Sequence, residues 1–590
     1  MTLLSTRTTH AAGAGQALEV RERSRWNSLP WLVLALAIAA WAIALPTLSG
    51  AKVSQFGLLA SGSPALLVSI LLVVVGFAIA VRRGQVGAAT TAVVCMVIVQ
   101  RVTVSAATAV PLYSWTYKHL GVVDYISTHG HVASGVDIYQ GWPGLFAATA
   151  WFSKVSGVAP MTIAHWFTPA MHLMLVALVI VMARTWGARP IVAVTASFFV
   201  ESLNWVGQDY YSPQATALVL AVGVLIVVGL CREKPVAPWL IVVLFAAITM
   251  THQLTPYWLL LATGLLAVTK RLKPWWLPGI LAVIAGGYLL LNWHVASQFP
   301  LLSLNPVANA QSNIATTGSF GQVVTSRIVR ALSVGFWATA AISAVIERRN
   351  RRPVLARVIL AFSSFILLGG QGYGGEAIFR VFLYALPGCA LLVAPSAVRM
   401  LQGRIVATSV ATFAALVAVA ASAQGYYGGW FANRMTPDQV NFSEQLLQRA
   451  TYPSYLTVAA PVWPERPTAR YVDFARFKTG YDYPMVYAAK LVGSHFNNEK
   501  DYDAFIHLIA DRKGGPTYLI ISRQMEIYDT YFGILPPDAL PNLRDRMLKD
   551  PRWTVVFNSP EFIVFETAPA ATGPTASKSA PRTPTAAAGK

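Results

Sequence analysis

The chain carries little charge. Only 12% of its 590 residues are Asp, Glu, Lys or Arg, about half the share of a soluble globular protein. It has three cysteines, Cys95, Cys231 and Cys389. All lie in or beside apolar stretches, so there is no disulfide framework and no zinc spacing. They read as small buried hydrophobes. Acidic residues are scarcest before residue 424, where only nine occur. No Walker or dinucleotide fingerprint is present, and no internal repeat. These absences exclude a soluble enzyme of this length, and equally a disordered or collagen-like chain. The net charge of +20 does not imply nucleic acid, because no basic face with interleaved aromatics accompanies it.

What is present is apolar sequence. Hydrophobic residues make up 55% of the chain and the mean hydropathy is +0.52. Runs long enough to cross a bilayer recur from residue 30 to residue 421. The expected spans are 30–48, 64–81, 86–109, 162–183, 190–206, 212–230, 237–251, 256–269, 275–293, 326–346, 354–370, 376–394 and 403–421. Residues 1–29 are polar, with Arg21, Arg23 and Arg25 ahead of the first run. They read as a cytoplasmic tail before an uncleaved anchor. Basic clusters close many spans, among them Arg82–Arg83, Lys270–Arg271 and Arg348–Arg352. Such clusters mark cytoplasmic loops. They stay on one side only if 142–158 lies along the membrane surface, with Trp142 and Trp151 at headgroup level. The expected fold is mainly α: a bundle of about 13 spans over 30–423, with a long outer loop at 111–161. Residues 424–568 read as an extracytoplasmic α/β domain. Its helices are expected at 438–449, 501–513 and 538–549, and its strands at 455–460, 517–522, 553–558 and 561–566. Residues 569–590, rich in Ala, Pro, Thr and Ser, read as a disordered tail.

This topology sorts the acids. Glu19, Glu22, Glu233 and Glu347 fall among basic residues on the inner side. Asp124, Asp137, Glu201, Asp209 and Glu376 fall on or near the outer face. Ionisable groups at a membrane edge are costly and mark function by default. In the long loop, Asp124 and Asp137 are candidate general bases, with Lys118 beside them. A helix cap or turn is the bland alternative for an aspartate ahead of Ile138-Tyr139. His129 and His131 read as loop residues. Further along come Asp209 and Gln214, in a hairpin ending Ser212-Pro213. Glu201 lies inside an apolar span, and Arg101 at similar depth is a partner for it. The third group is His252 and Gln253 at the break Thr251–Pro256. The fourth is Gly369-Gly370-Gln371-Gly372-Tyr373-Gly374-Gly375-Glu376, followed by Arg380. Glu376 and Arg380 have the spacing of a local ion pair, and the arginine fork also matches a phosphate.

With these residues in view, the layout resembles the polytopic, lipid-sugar-dependent glycosyltransferases of the GT-C class. Tyr211-Ser212-Pro213-Gln214, His252-Gln253-Leu254-Thr255-Pro256 and Gly374-Gly375-Glu376-Ala377-Ile378-Phe379-Arg380 also look like a group of actinobacterial multi-spanning proteins. The resemblance covers roughly residues 86–566. It requires two spans ahead of the family's first, because the loop 49–63 holds no Asp or Glu. It implies a polyprenyl-phosphate sugar as donor and an envelope glycan or glycolipid as acceptor, at the outer face of a cell membrane. It implies Asp124 as base, with Asp137 second. Arg380 would hold phosphate, joined by Lys118 or His252, and Asp209 would orient the acceptor. Membrane lipids are the expected surroundings. No cofactor is called for; a divalent cation stays an open alternative. Two other functions are weighed against transfer: a flippase for a lipid-linked saccharide, and a non-catalytic envelope-assembly protein.

Overall fold

The structure, a computed structural model, describes residues 27–232, 237–298, 305–311, 317–370, 376–451, 454–476, 484–510 and 515–567. Most of the N-terminal tail, Glu233, Lys234, the glycine-rich Gln371–Gly375 stretch and the tail 569–590 lie outside them.

Every expected span is helical. The long ones are α1 (Leu29–Leu48), α2 (Pro64–Arg82) and α3 (Val86–Ala107). The loop after α3 carries α4 (Ser114–His129), α5 (Ile138–Gly141) and α6 (Gly144–Ser156). The bundle continues with α7 (Pro160–Thr185), α8 (Pro190–Ser202), α9 (Pro213–Cys231), α10 (Pro238–Thr251), α11 (Thr255–Val268) and α12 (Leu277–Leu291). Next come α13 (Phe320–Arg349), α14 (Leu355–Phe362) with a 3-10 turn Ser363–Gly369, α15 (Ala377–Leu401) and α16 (Ile405–Tyr427). Eight of these helices are long and apolar enough to cross a membrane, and five more are shorter and apolar. Proline in the first helical positions starts α2, α7, α8, α9 and α10, where its missing N–H costs nothing. Helix α15 is the axis of the bundle: 89% of its apolar window is buried, against 22% for α1. At Gly388 of α15 the backbone of Leu360 and Ala361 comes so close that a Cβ would collide with it.

The C-terminal part runs α17 (Pro437–Arg449), β1 (Tyr455–Val458), α18 (Glu499–Ala510), β2 (Thr517–Ser522), α19 (Arg523–Phe532), α20 (Ala539–Met547), β3 (Trp553–Asn558) and β4 (Phe562–Thr567). A capping box at Thr436 and Gln439 starts α17, closing two N-terminal donors at once. The sheet order is β1-β2-β4-β3. The first pair is parallel and the other two are antiparallel. The four strands fall where alternation and β-branched content put them. Helix α19 lies in none of the expected elements, although Met525, Tyr528, Tyr531 and Phe532 recur along it at helical spacing.

The long loop departs from a simple bundle attachment. Tyr117, Leu120, Val122, Val123 and Tyr125 of α4, with Phe146 of α6, belong to the same apolar core as Leu519, Ile521 and Phe565 of the sheet. The loop and the C-terminal part thus share one core. Helix α6 falls within the segment expected along the membrane surface, and Trp151, Phe152 and Val155 on it are exposed.

Candidate functional site

The densest buried chemistry starts from a distortion. Within α3, residues Ile98–Val102 form a π turn, a feature often found at functional sites. The Tyr427 hydroxyl donates to the Val99 and Gln100 carbonyls of this turn. Arg101, in the same turn, is wholly buried. Its Nε donates to Glu201 Oε1 at 2.9 Å. Its Nη2 donates to the Glu201 and Asn204 carbonyls at 3.0 and 2.9 Å. Its Nη1 lies 3.3 Å from Asp209 Oδ2, and the guanidinium sits 4.1 Å from the Tyr426 ring centre. The Arg101–Glu201 pair matches the sequence expectation.

His172 of α7 completes a quartet. Its Nδ1 is 2.6 Å from Glu201 Oε2 and its Nε2 is 3.0 Å from Asp209 Oδ2. Both nitrogens face carboxylate oxygens, which accept, so the arrangement calls for a proton on each nitrogen. Two cations then balance two carboxylates. That balance is what makes burial of four ionisable side chains tolerable.

Beside the quartet lies a cavity lined by His172, Asn204, Gln208, Asp209 and Gln214, with Met171, Leu175 and Leu383 on its apolar side. Its free volume, ≈ 20 Å³, has room for one water. The chain is unwound between α8 and α9. There the Thr168 hydroxyl holds the Asp209 carbonyl at 2.9 Å, and Ser212 caps α9 ahead of Pro213. This stretch delivers Gln208, Asp209 and Gln214 to one place. Both Asp209 carboxylate oxygens, Gln208 Oε1 and Gln214 Nε2 are buried without a hydrogen-bond partner. Acceptors and a donor around one cavity complement hydroxyl groups, which both give and take hydrogen bonds.

A second cluster lies at the start of α11 and α15. His252 Nδ1 accepts from the Thr255 hydroxyl at 2.8 Å and its N–H at 3.3 Å, which leaves Nε2–H as a donor. Burial, with the Arg380 guanidinium nearby, pulls the His252 pKa down to about 3, so it is neutral. Gln253 is half-buried beside it. Arg380 is buried and pairs with Glu376 Oε2 at 2.6 Å, while Glu376 is 44% exposed. Leu383, one turn beyond Arg380, lines the Asp209 cavity.

The third cluster joins the long loop to a strap, residues 461–471. Lys118 pairs with Glu465 at 2.7 Å and lies over the Trp115 ring. Asp124 Oδ2 accepts the Ala469 N–H at 2.7 Å. Burial and Asp124 raise the pKa of neighbouring Glu444. Asp137 caps α5: its Oδ1 accepts from the Tyr139 and Gln140 N–H groups. Its Oδ2 accepts from Arg466 at 2.8 Å and the Tyr471 hydroxyl at 3.0 Å. His119 bridges toward the first cluster, with Nδ1 donating to the Tyr211 carbonyl at 2.7 Å; burial pulls its pKa to about 4.

The structure therefore brings Asp209 and Gln214 into one cavity, His252, Glu376 and Arg380 into a neighbouring cluster, and Lys118, Asp124 and Asp137 into the strap. His172 and Asn204 are the residues that sequence reasoning missed. A histidine inside an apolar span was the available signal for the first. Among the described residues, no three His, Cys, Asp or Glu side chains are grouped to hold a metal ion.

No family model matches the chain, and no curated protein matches it. Solved structures give distant similarities. An oligosaccharyltransferase of Archaeoglobus fulgidus, tethered to an acceptor peptide, has 11% identity and a TM-score of 0.45 over 82% of this chain and 74% of its own. ArnT of Cupriavidus metallidurans, bound to undecaprenyl phosphate, has 12% identity and a TM-score of 0.43 over 78% and 94%. The mycobacterial arabinofuranosyltransferase AftD has 13% identity and a TM-score of 0.43 over 82% of this chain and 41% of its own.

Proposed function

We propose that this chain is an integral-membrane glycosyltransferase. It moves a sugar from a polyprenyl-phosphate donor to a hydroxyl of an envelope glycan or glycolipid, on the membrane face that carries the C-terminal sheet. The observation that carries the reading is Asp209. Its Oδ2 lies 3.3 and 3.0 Å from Arg101 and His172, its Oδ1 lies on the other side of the carboxylate, and neither oxygen has a hydrogen-bond partner. A carboxylate set beside two cationic side chains, with oxygen left for a hydroxyl, is placed to take a proton. That is what a general base needs.

The step balances simply. Asp209 Oδ1 takes the hydroxyl proton as the acceptor oxygen bonds to the anomeric carbon. The carbon–oxygen bond to the donor phosphate breaks, and the lipid phosphate leaves with both electrons. Arg380, with the His252 Nε2–H, offsets the charge left on that phosphate. Gln214 and Gln208 orient the acceptor. Gln253 and Glu376 border the phosphate side. Asp137, filled by four donors, and Asp124 and Lys118 hold the strap against the loop in this reading. Asp124 is the rival base, because only one of its oxygens is bonded to the strap.

The test is transfer in proteoliposomes from labelled polyprenyl-phosphate sugars, comparing wild type, Asp209→Asn and Asp124→Asn. Loss of about 10²–10⁴ in rate in Asp209→Asn alone supports the assignment. The same loss in Asp124→Asn alone moves the base to the loop. No turnover of any donor across a panel of acceptors turns the reading toward transport or assembly.

A further inference from the structure

The Asp209 carboxylate sits on a stretch of chain that neither helix nor sheet holds. Residues 203–212 run unwound between α8 and α9, so their backbone groups need partners from elsewhere. Side chains of other helices supply them. From α3, Arg101 Nη2 donates to the Asn204 carbonyl at 2.9 Å. From α7, the Thr168 hydroxyl donates to the Asp209 carbonyl at 2.9 Å. From α4, His119 Nδ1 donates to the Tyr211 carbonyl at 2.7 Å. Asp209 is thus clamped at its own carbonyl and again two residues on. Helix α4 is itself seated along one stripe. Ser114, Lys118, Gly121 and Asp124 fall on one face at helical spacing. Ser114 donates to the Pro461 carbonyl at 3.2 Å, Lys118 pairs with Glu465 at 2.7 Å, and Asp124 accepts the Ala469 N–H at 2.7 Å. At Gly121 the Arg466 carbonyl comes so close that a Cβ would collide with it. The strap therefore runs alongside α4 in the same direction. Lys118 and His119 are neighbours in the chain, so one turn of helix meets both the strap and the Asp209 loop.

We propose that His119 is a positioning residue for transfer: from a helix that the strap fixes, it holds the loop 203–212, and with it the Asp209 carboxylate, in place for the acceptor hydroxyl. This role rests on the transferase reading for its effect on rate, and it adds a residue that touches neither donor nor acceptor there. The reason is geometric. A base must lie within hydrogen-bond reach of the proton it takes. A misplacement of about 1 Å, caused away from the chemistry, can cost about 10²-fold in rate. A bonded carbonyl two residues from the carboxylate limits such movement. The donor is rigid as well. His119 is 2% exposed, and its ring packs on Tyr139 at 4.8 Å and Phe146 at 5.3 Å. Packing rather than a free rotamer therefore sets where Nδ1–H points. Burial keeps the ring neutral, so the single proton stays on the nitrogen that faces the carbonyl.

The test compares full-length wild type with His119→Leu, His119→Asn and His119→Gln in proteoliposomes supplied with labelled polyprenyl-phosphate sugars. The asparagine amide nitrogen is bonded to Cγ, as Nδ1 is, and the glutamine one lies a bond further out. Two variants thus carry the same donor in two places. Expected is a fall in kcat of roughly 10–10²-fold in His119→Leu and His119→Gln, with the donor KM little changed. His119→Asn should recover most of it. Hydrogen exchange, read without turnover, should rise across 203–212 in His119→Leu and His119→Gln and stay near wild type in His119→Asn. A wild-type kcat in His119→Leu overturns the proposal, even with a lower thermal midpoint, because a merely structural residue behaves so. Equal losses in His119→Asn and His119→Gln overturn it too. Where His119→Leu fails to fold, the comparison of His119→Asn with His119→Gln supplies the reading. Wild type that transfers from no donor, with exchange in the expected order, sinks the transferase and keeps the hold on the loop. Wild type that transfers, with all three variants matching it in kcat and exchange, does the reverse.

Discussion

Two charged clusters, the strap and the quartet, meet their aspartates in different ways. In the strap, Asp137 is filled by two N–H groups, an arginine and a tyrosine hydroxyl, and Lys118 meets Glu465. In the quartet, Arg101 and His172 lie beside the Asp209 carboxylate, yet neither of its oxygens has a hydrogen-bond partner, and two amides beside it are equally unmatched. A buried polar atom without a partner costs about 1–3 kcal/mol. A fold that leaves four on the residues of one cavity has room there for something else to bond them. Saturated charge fastens; unsaturated charge at a cavity recognises.

The sharpest way to break that contrast is to remove the quartet's cation. Arg101→Met leaves Glu201 and Asp209 buried with only His172 between them. About 3–5 kcal/mol of stability should go, read as a lower thermal midpoint and poor recovery of monodisperse protein. Asp209→Asn keeps shape and volume. It should leave the midpoint close to wild type while transfer falls about 10²–10⁴-fold; a fold loss as large as that of Arg101→Met would make Asp209 structural. Asp137→Ala should do the converse. It removes the α5 cap and the Arg466 contact, costing about 1–3 kcal/mol. Hydrogen exchange should rise across 461–471 and 133–141, with transfer impaired only in step with folding.

The smallest effect concerns Asp529 on α19. It is buried without a partner, and burial pushes its pKa up to about 7. A carboxyl whose pKa is higher folded than unfolded favours the folded state most below its unfolded value, and that contribution is lost as pH rises toward 7. The thermal midpoint should therefore fall from pH 5 to pH 8 by more in wild type than in Asp529→Asn, and the variant's gain should be larger at pH 8. Equal slopes for the two proteins would show that Asp529 does not carry this dependence.

Much of the architecture was legible in advance. Runs of about 20 apolar residues have one stable outcome in a bilayer, a helix that bonds its own backbone, and all the expected spans are helical. The four strands announced themselves by β-branched and aromatic content. Asp137 as a cap and Glu376–Arg380 as an i,i+4 pair follow from local chemistry, which needs only neighbours in sequence. Helix α19 escaped although Met525, Tyr528, Tyr531 and Phe532 keep helical spacing, because it follows β2 with no loop between them. His172 escaped because one histidine in an apolar run has no partner in its own segment.

The amino-acid sequence by itself determined the class of fold, the spans, the sheet strands and which few acids deserved inspection, because hydropathy, periodicity and capping act over a handful of residues. Only the tertiary structure decided how those acids divide. It joined Arg101, His172, Glu201 and Asp209 across 108 positions of chain, and it spent Asp124 and Asp137 on a strap more than 300 residues away. Whether a carboxylate is saturated or left with a free oxygen depends on donors brought from other helices, and no local pattern records them.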